Sequence, residues 1–377
     1  METVAHCYPL GASIGSGSSN LTEHLRVVHG AITSRYPYID RVALATYDVA
    51  FDTLKTFVSS NSDGVLLEHY AAKLSEVPTL EHLARTRQTR VIENIDSTFL
   101  SNSVHTSWLK SREYRSSFTV PIFNGDQFAG FLFFDSKLPN AFDKETANFL
   151  EVFSNLISQL YLLQLQVVRS MVGTVHLASG LAKIRDLETG QHLERMAAYS
   201  RLMAQELAAS HGLTDEFIEY VYLFAPLHDV GKVGIPDNVL LKPGKLDAQE
   251  WNVMRQHVEI GISIVDQMAN EIRFGNEQAF SVMRNIVGQH HERGDGSGYP
   301  KGLTLNEIAI EARIVAVADV FDALSSRRPY KEPWDEERLT VELAKEVAQK
   351  RLDPLCVDAL LRCNAQRKRI AIEFADR

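Results

Sequence analysis

The sequence predicts an α+β N-terminal domain, an antiparallel sheet flanked by helices, joined by a long linker helix to an all-α C-terminal domain. Three observations lead there. Two aromatic-rich runs, residues 118–123 and 127–134, flank Asn124-Gly125, a pair that supplies the positive φ a tight hairpin needs. From Lys144 to Ile184 a helical pattern places Phe149, Phe153, Leu156, Leu160, Leu163 and Val167 four and three residues apart, the a/d spacing of an apolar seam. Beyond residue 165 the pattern is almost wholly helical, broken by Pro236-Asp237, Lys242-Pro-Gly244 and residues 294–302.

Taken in order, a Gly/Ser-rich lead-in at residues 11–19 precedes a helical stretch over 21–36. Runs 41–50 and 53–59 alternate apolar residues such as Val42, Leu44 and Phe57, as strands do. The polar turn Ser60-Asn-Ser-Asp-Gly64 leads to a helical segment at 80–86. In the linker helix Ser170 and Thr174 interrupt the repeat before Leu177, Leu181 and Ile184 resume it. Two packings fit that helix: against its own domain, or as a parallel seam between two chains that carries strain to the next domain. Asp247-Ala-Gln-Glu250 reads as a capping box that starts a helix.

Composition bounds the function. At roughly 100–200 residues per domain, 377 residues make two domains. With 45% hydrophobic and 23% charged residues, a disordered or fibrous chain is excluded. Lys+Arg total 39 against Asp+Glu 48, a formal charge of -9, which argues against a nucleic-acid polymer as partner. A small phosphorylated substrate stays open, because only the local field acts on it. Cys7, Cys356 and Cys363 are too few for a disulfide framework, show no ligand spacing and fit a reducing compartment. Met1 to Asn20 lack a signal-peptide pattern, and no run of about 18 apolar residues occurs. The expectation is a cytoplasmic protein without a membrane partner.

On the paired strands, the Asp135-Ser136 ending and the helix after them, residues 1–160 resemble a GAF domain. The resemblance implies a sensor or dimerisation domain, with the linker helix at 144–184 overlapping it, and a homodimer formed through both. The sensor ligand is unknown. No cysteine stands where a covalent chromophore would be evident, and the singly scattered His69, His82 and His105 read as surface or core residues.

The chemistry-bearing residues lie further on. Glu188 and His192 are four apart and share one helix face. His228-Asp229, in Leu227-His-Asp-Val-Gly-Lys232, is placed at the end of an apolar helix. His257 follows in Arg255-Gln-His-Val-Glu259, and His290-His291 opens His290-His-Glu-Arg-Gly-Asp-Gly-Ser-Gly-Tyr-Pro300. A single helical histidine is ordinarily a satisfied structural residue. Asp319, on an apolar helix over 312–324 among Val315, Val317 and Phe321, is costly to bury and needs a partner, either a cation or Arg313. Structural zinc sites favour thiolates, and calcium and magnesium favour all-oxygen cages. Five histidines with three carboxylates instead suit two or three first-row ions such as iron or manganese.

These ordered motifs, with Val317-Ala-Asp-Val-Phe-Asp-Ala-Leu324 and Arg328-Pro-Tyr-Lys331, make residues 165–377 similar to the HD-GYP family of cyclic dinucleotide phosphodiesterases. The resemblance implies hydrolysis of cyclic di-GMP to linear pGpG by a metal-bridged hydroxide, and leaves onward cleavage to GMP open. It implies metal ligation by Glu188, His192, His228, Asp229, His257, His290, His291 and Asp319. Asp229 would bridge two divalent ions, iron or manganese, and Glu188 permits a third. Lys232 would act beside Asp229 on the scissile phosphate. Tyr299 would sit near a guanine, and Arg328 and Lys331 would hold phosphates or a base. Taken without that resemblance, Lys232 is equally a helix-end lysine, Tyr299 a packed turn residue, and Arg328 and Lys331 solvated surface charges. Asp322, one turn past Asp319, is expected to orient Lys232 or a ligand. Two alternatives remain: hydrolysis of another cyclic dinucleotide such as 3′,3′-cyclic GMP–AMP, and a receptor that binds without cutting.

Overall fold

The computed structural model describes residues 21–49, 51–64, 67, 69–98, 104–183, 190–272, 277–326 and 333–375. The chain divides into two units with the boundary between Leu165 and Gln166.

The first unit is built on six antiparallel strands, β1 (Arg41–Asp48), β2 (Thr53–Asn61), β3 (Ala71–Lys73), β4 (Arg90–Ile92), β5 (Ser116–Asn124) and β6 (Gln127–Ser136), in the order β3-β2-β1-β6-β5-β4. The hairpin is where the sequence places it, shifted by one residue. Asn124 pairs with Gln127, so Gly125-Asp126 form the loop, and the positive φ of this turn falls on Gly125 alone at 59°. Glycine first and an ordinary residue second is the type II′ pattern. The two-residue period of β6 then sorts side chains between two cores. Leu132 and Phe134 join Val42 and Leu44 under the helices Leu21–Arg35 and Lys144–Lys183. Phe131 and Phe133 join Ala43, Ala45, Leu54 and Leu80 on the opposite side.

The linker helix Lys144–Lys183 corrects the predicted seam by one position. After Thr146 in its first turn, the buried residues among those described are Leu150, Ser154, Ile157, Tyr161 and Val168, each one place beyond Phe149, Phe153, Leu156, Leu160 and Val167. The helix therefore packs on its own domain. The predicted seam lies along the flank of that stripe, half-buried at Phe149, Phe153, Leu160 and Val167 and exposed at Leu156 (43%) and Leu163 (59%). The side chains of Leu177, Leu181 and Ile184 lie outside the described residues.

The second unit is helical. Helix Gly190–His211 is buried along much of its length and packs against Asp215–Phe224, Ile310–Ser325, Pro354–Arg362 and Asn364–Glu373. The capping box is present: Asp247 accepts from the amides of Gln249 and Glu250, and Glu250 accepts from that of Asp247. Pro236-Asp237 opens the short helix Asp237–Leu240 rather than a loop. The apolar helix expected to carry His228-Asp229 ends earlier, at Phe224. Pro226 has no amide to continue the ladder, and the chain passes into two 3-10 turns, Ala225–Leu227 and Val230–Gly234, with His228-Asp229 between them. No helix among the described residues is long and apolar enough to cross a membrane.

One backbone approach fixes Asp229 against the neighbouring helix His257–Ile272. A Cβ on Gly231 would lie 1.8 Å from the His257 carbonyl oxygen and 2.5 Å from the Gly261 nitrogen, so no larger residue fits. Gly231→Ala should therefore force these elements apart at a cost of about 2 kcal/mol. Thermal denaturation followed by circular dichroism should show a midpoint lower by roughly 4–8 °C, and an unchanged midpoint would contradict the contact.

Candidate metal centre

Five elements bring the histidines together. His192 comes from helix Gly190–His211, His228 and Asp229 from the junction of the 3-10 turns, and His257 from the first turn of His257–Ile272. His290 and His291 follow the end of Glu277–Gln289, and Asp319 lies on Ile310–Ser325. Their ligand atoms form two groups, each with all members within 4.8 Å of one another. Asp229, His257, His290 and His291 make one, and His192, His228 and Asp319 the other. Glu188, Arg328 and Lys331 lie outside the described residues.

Four of the imidazoles are set in the same sense. Nδ1 of His228 bonds the Ala225 carbonyl at 2.9 Å, and Nδ1 of His257 bonds that of Met254 at 2.7 Å. Nδ1 of His290 is 3.1 Å from the carbonyls of Ile286 and Val287. Nδ1 of His192 meets Asp322 Oδ2 at 2.7 Å. A carbonyl or carboxylate oxygen only accepts, so each Nδ1 carries the proton, and in the neutral ring Nε2 presents a lone pair. Three of those lone pairs, on His228, His257 and His290, turn toward Asp229. His257 Nε2 lies 3.2 Å and His290 Nε2 3.6 Å from Asp229 Oδ1, and His228 Nε2 lies 3.3 Å from Oδ2. The Nε2 atoms of His257 and His290 and Oδ1 of Asp229 are buried and find no hydrogen-bond partner of proper geometry.

Facing lone pairs repel. They become favourable when cations lie between them or when the rings are protonated. Burial opposes protonation, holding His290 and His291 below the ordinary histidine range, with the neighbouring histidines adding to the effect. Burial alone would raise Asp229, yet the Lys232 ammonium beside it holds it well below the usual carboxylate range. Neutral imidazoles around an ionised carboxylate, without a thiolate, fit borderline divalent cations.

Outer contacts hold this set in place. Asp322 is buried and accepts from Arg195 Nε at 2.6 Å and Nη2 at 3.1 Å, from Ser326 Oγ at 2.9 Å and from His192. It thus orients a histidine and not Lys232, and its carboxyl is lowered by His192 and Arg195 against the upward pull of burial. Arg195 Nη1 also donates to the Phe374 carbonyl at 2.8 Å. Neither Arg195 nor this pairing was expected. The available signal was its position three residues after His192, on the same helix face. Arg313, the candidate partner for Asp319, pairs with Asp353 at 2.8 Å instead.

At the mouth, Lys232 Nζ lies 2.8 Å from Asp229 Oδ2. The Tyr299 ring is 4.7 Å from that of His291, with the Arg255 guanidinium 5.1 Å from its centroid. Buried Glu292 holds the loop, accepting from the amides of Lys301 at 2.7 Å and Leu303 at 2.9 Å. A Cβ on Gly298 would fall 2.3 Å from the Arg293 nitrogen and 2.5 Å from Glu292 Cα, so the loop lies against the Glu292-Arg293 backbone. Glu292 was passed over in the sequence, although a carboxylate beside a glycine-rich loop is suited to collecting free amides.

Comparison with known proteins agrees with this division. The GAF-domain family matches residues 22–160 and the HD-domain family residues 183–355. A cyclic di-GMP phosphodiesterase response regulator of Xanthomonas campestris is 50% identical over 193 residues, 51% of this chain and 47% of that protein. A 3′3′-cGAMP-specific phosphodiesterase of Vibrio cholerae is 42% identical over 189 residues, 50% of this chain and 34% of that protein. A cyclic di-GMP phosphodiesterase of Thermotoga maritima is 43% identical over 182 residues, 48% of this chain and 46% of that protein. The matched region spans less than half of each of these relatives. The chain thus carries a match to the GAF-domain family followed by a match to the HD-domain family, and the second region is similar to part of several cyclic dinucleotide phosphodiesterases.

Proposed function

We propose that this protein hydrolyses cyclic di-GMP to linear pGpG in its HD domain, under control of the GAF domain. The observation that carries the proposal is the convergence of Nε2 lone pairs on the Asp229 carboxylate, an arrangement that calls for divalent cations. Two groups of ligand atoms would hold two ions, iron or manganese, with Asp229 assigned as a ligand, and Glu188 permits a third. Bound there, the ions supply Lewis acidity toward a phosphoryl oxygen and lower the pKa of water.

The chain's own residues do the rest. Lys232 places a positive charge beside Asp229, where it gains value as negative charge builds on phosphorus oxygens. Asp322 and the backbone carbonyls keep the imidazoles in the tautomer that leaves Nε2 available. Tyr299, with Arg255 over its ring, lines the mouth where a base would lie, and Arg328 and Lys331 are assigned to the phosphates or base. The similarity to a 3′3′-cGAMP-specific enzyme favours cyclic GMP–AMP as the second substrate to test. We assign the protein to the cytoplasm, in keeping with the buried free thiols of Cys356 and Cys363. We also propose a homodimer through the exposed flank of the linker helix, where Val152, Leu156 and Leu163 face outward.

Three outcomes test this. Protein loaded anaerobically with Fe(II) or Mn(II) should cleave cyclic di-GMP faster than cyclic GMP–AMP, and Asp229→Ala should reduce the rate at least roughly a hundredfold with unchanged circular dichroism. Full activity in that variant would refute the site. Asp322→Asn should weaken Mn(II) binding about 10–100-fold in calorimetric titration, because His192 loses its orienting carboxylate. Joint Leu156→Glu and Leu163→Glu substitution should convert a dimer to a monomer by light scattering after size exclusion; a mass that does not change would remove the seam.

A further inference from the structure

Arg255 carries a charge that the fold does not use. It ends the helix Ala248–Arg255, is exposed, and its side chain makes no hydrogen bond or ion pair among the described residues. Glu250, on the same helix, is already taken by Lys242 Nζ at 2.7 Å and by the Asp247 amide at 2.8 Å. The guanidinium rests instead on a ring, its Cζ 5.1 Å from the Tyr299 centroid. Cation and aromatic face attract, so this contact restricts an otherwise free side chain.

The place it is given is tied to the histidines. Arg255 precedes His257 by two residues, and Nδ1 of His257 is bonded to the Met254 carbonyl at 2.7 Å, which fixes the backbone on both sides of Arg255. Tyr299 in turn lies 4.7 Å from His291. The guanidinium is therefore held at the edge of the ligand cluster. Trp251, one turn earlier on the same helix face, is 48% exposed. An unpaired planar cation, with an indole on its own helix face and a phenol against it, suits a flat ring with acceptor atoms on its edge.

Guanine and adenine differ at that edge. Guanine presents two acceptors, N7 and O6, whereas adenine presents N7 and the N6 amino donor. A guanidinium only donates, so its fork matches guanine and sets donor against donor on adenine. Resting on the reading of this site as one for cyclic dinucleotides, we propose that Arg255 selects guanine by donating to N7 and O6 of one base of the substrate. Arg255 is thus a specificity residue, and the cleavage chemistry stays with the metal centre and Lys232.

The test uses the full chain loaded with Mn(II), with two nucleotides: cyclic di-GMP, and its analogue in which both bases are 7-deazaguanine, a carbon replacing N7. Wild-type kcat/KM should be about tenfold lower for the analogue, the value of a hydrogen bond from a charged donor. In Arg255→Ala, folded by circular dichroism, the two nucleotides should be cleaved with equal kcat/KM. A wild type that treats the two alike would overturn the proposal. So would a preference that survives in Arg255→Ala, the result expected if the guanidinium serves a phosphate. If the wild type cleaves neither nucleotide, the phosphodiesterase reading fails, and calorimetric affinities of the same protein decide the inference in its place. A tenfold preference lost in Arg255→Ala then upholds it, and equal affinities or no binding overturn it.

Discussion

Four imidazoles whose Nδ1–H groups are already committed to oxygen, and one carboxylate with only lone pairs to offer, set the terms for the C-terminal unit. Hydrogen bonding relieves Asp229 only at Oδ2, through Lys232, because the imidazoles that face it at 3.2–3.6 Å are also acceptors. Protonation is resisted by burial. The scaffold must therefore hold mutually repelling groups in register, and it does so with rigid parts. Gly231 lets two backbones touch, the carbonyls of Ala225 and Met254 pin the rings, and the Asp322–Arg195 pair braces His192. Such a site costs folding energy on its own and returns it when cations enter.

Much of this was legible in the sequence, and the limits have physical causes. The hairpin was visible because Asn-Gly turns and two-residue alternation are local. The linker helix was visible as a helix, but its buried lane was not, because its apolar residues come as doublets. Phe149-Leu150, Leu156-Ile157 and Leu160-Tyr161 each offer two adjacent candidates, and only the shape of the sheet beneath selects the second. The histidines and Asp319 could be named from their motifs. Their partners could not, because the pairings span long stretches of chain: His192 and Arg195 reach Asp322, and Arg313 turns away from Asp319 to Asp353.

Polar residues in the two units solve the same problem differently. In the sheet domain, Arg41 and Asp135 pair inside the protein. In the helical domain, Glu292 gathers two backbone amides and so shapes the loop that carries Tyr299. Both are buried charges fixed by specific partners, the first by a side chain and the second by two backbone amides.

The bond from Arg195 to the Phe374 carbonyl has a consequence for biosynthesis. On the ribosome the histidines emerge one after another, yet the brace behind the first of them is completed only after residue 374 has left the exit tunnel. The last support of the histidine cluster is therefore set by the distal helix and not by the order in which the histidines are made.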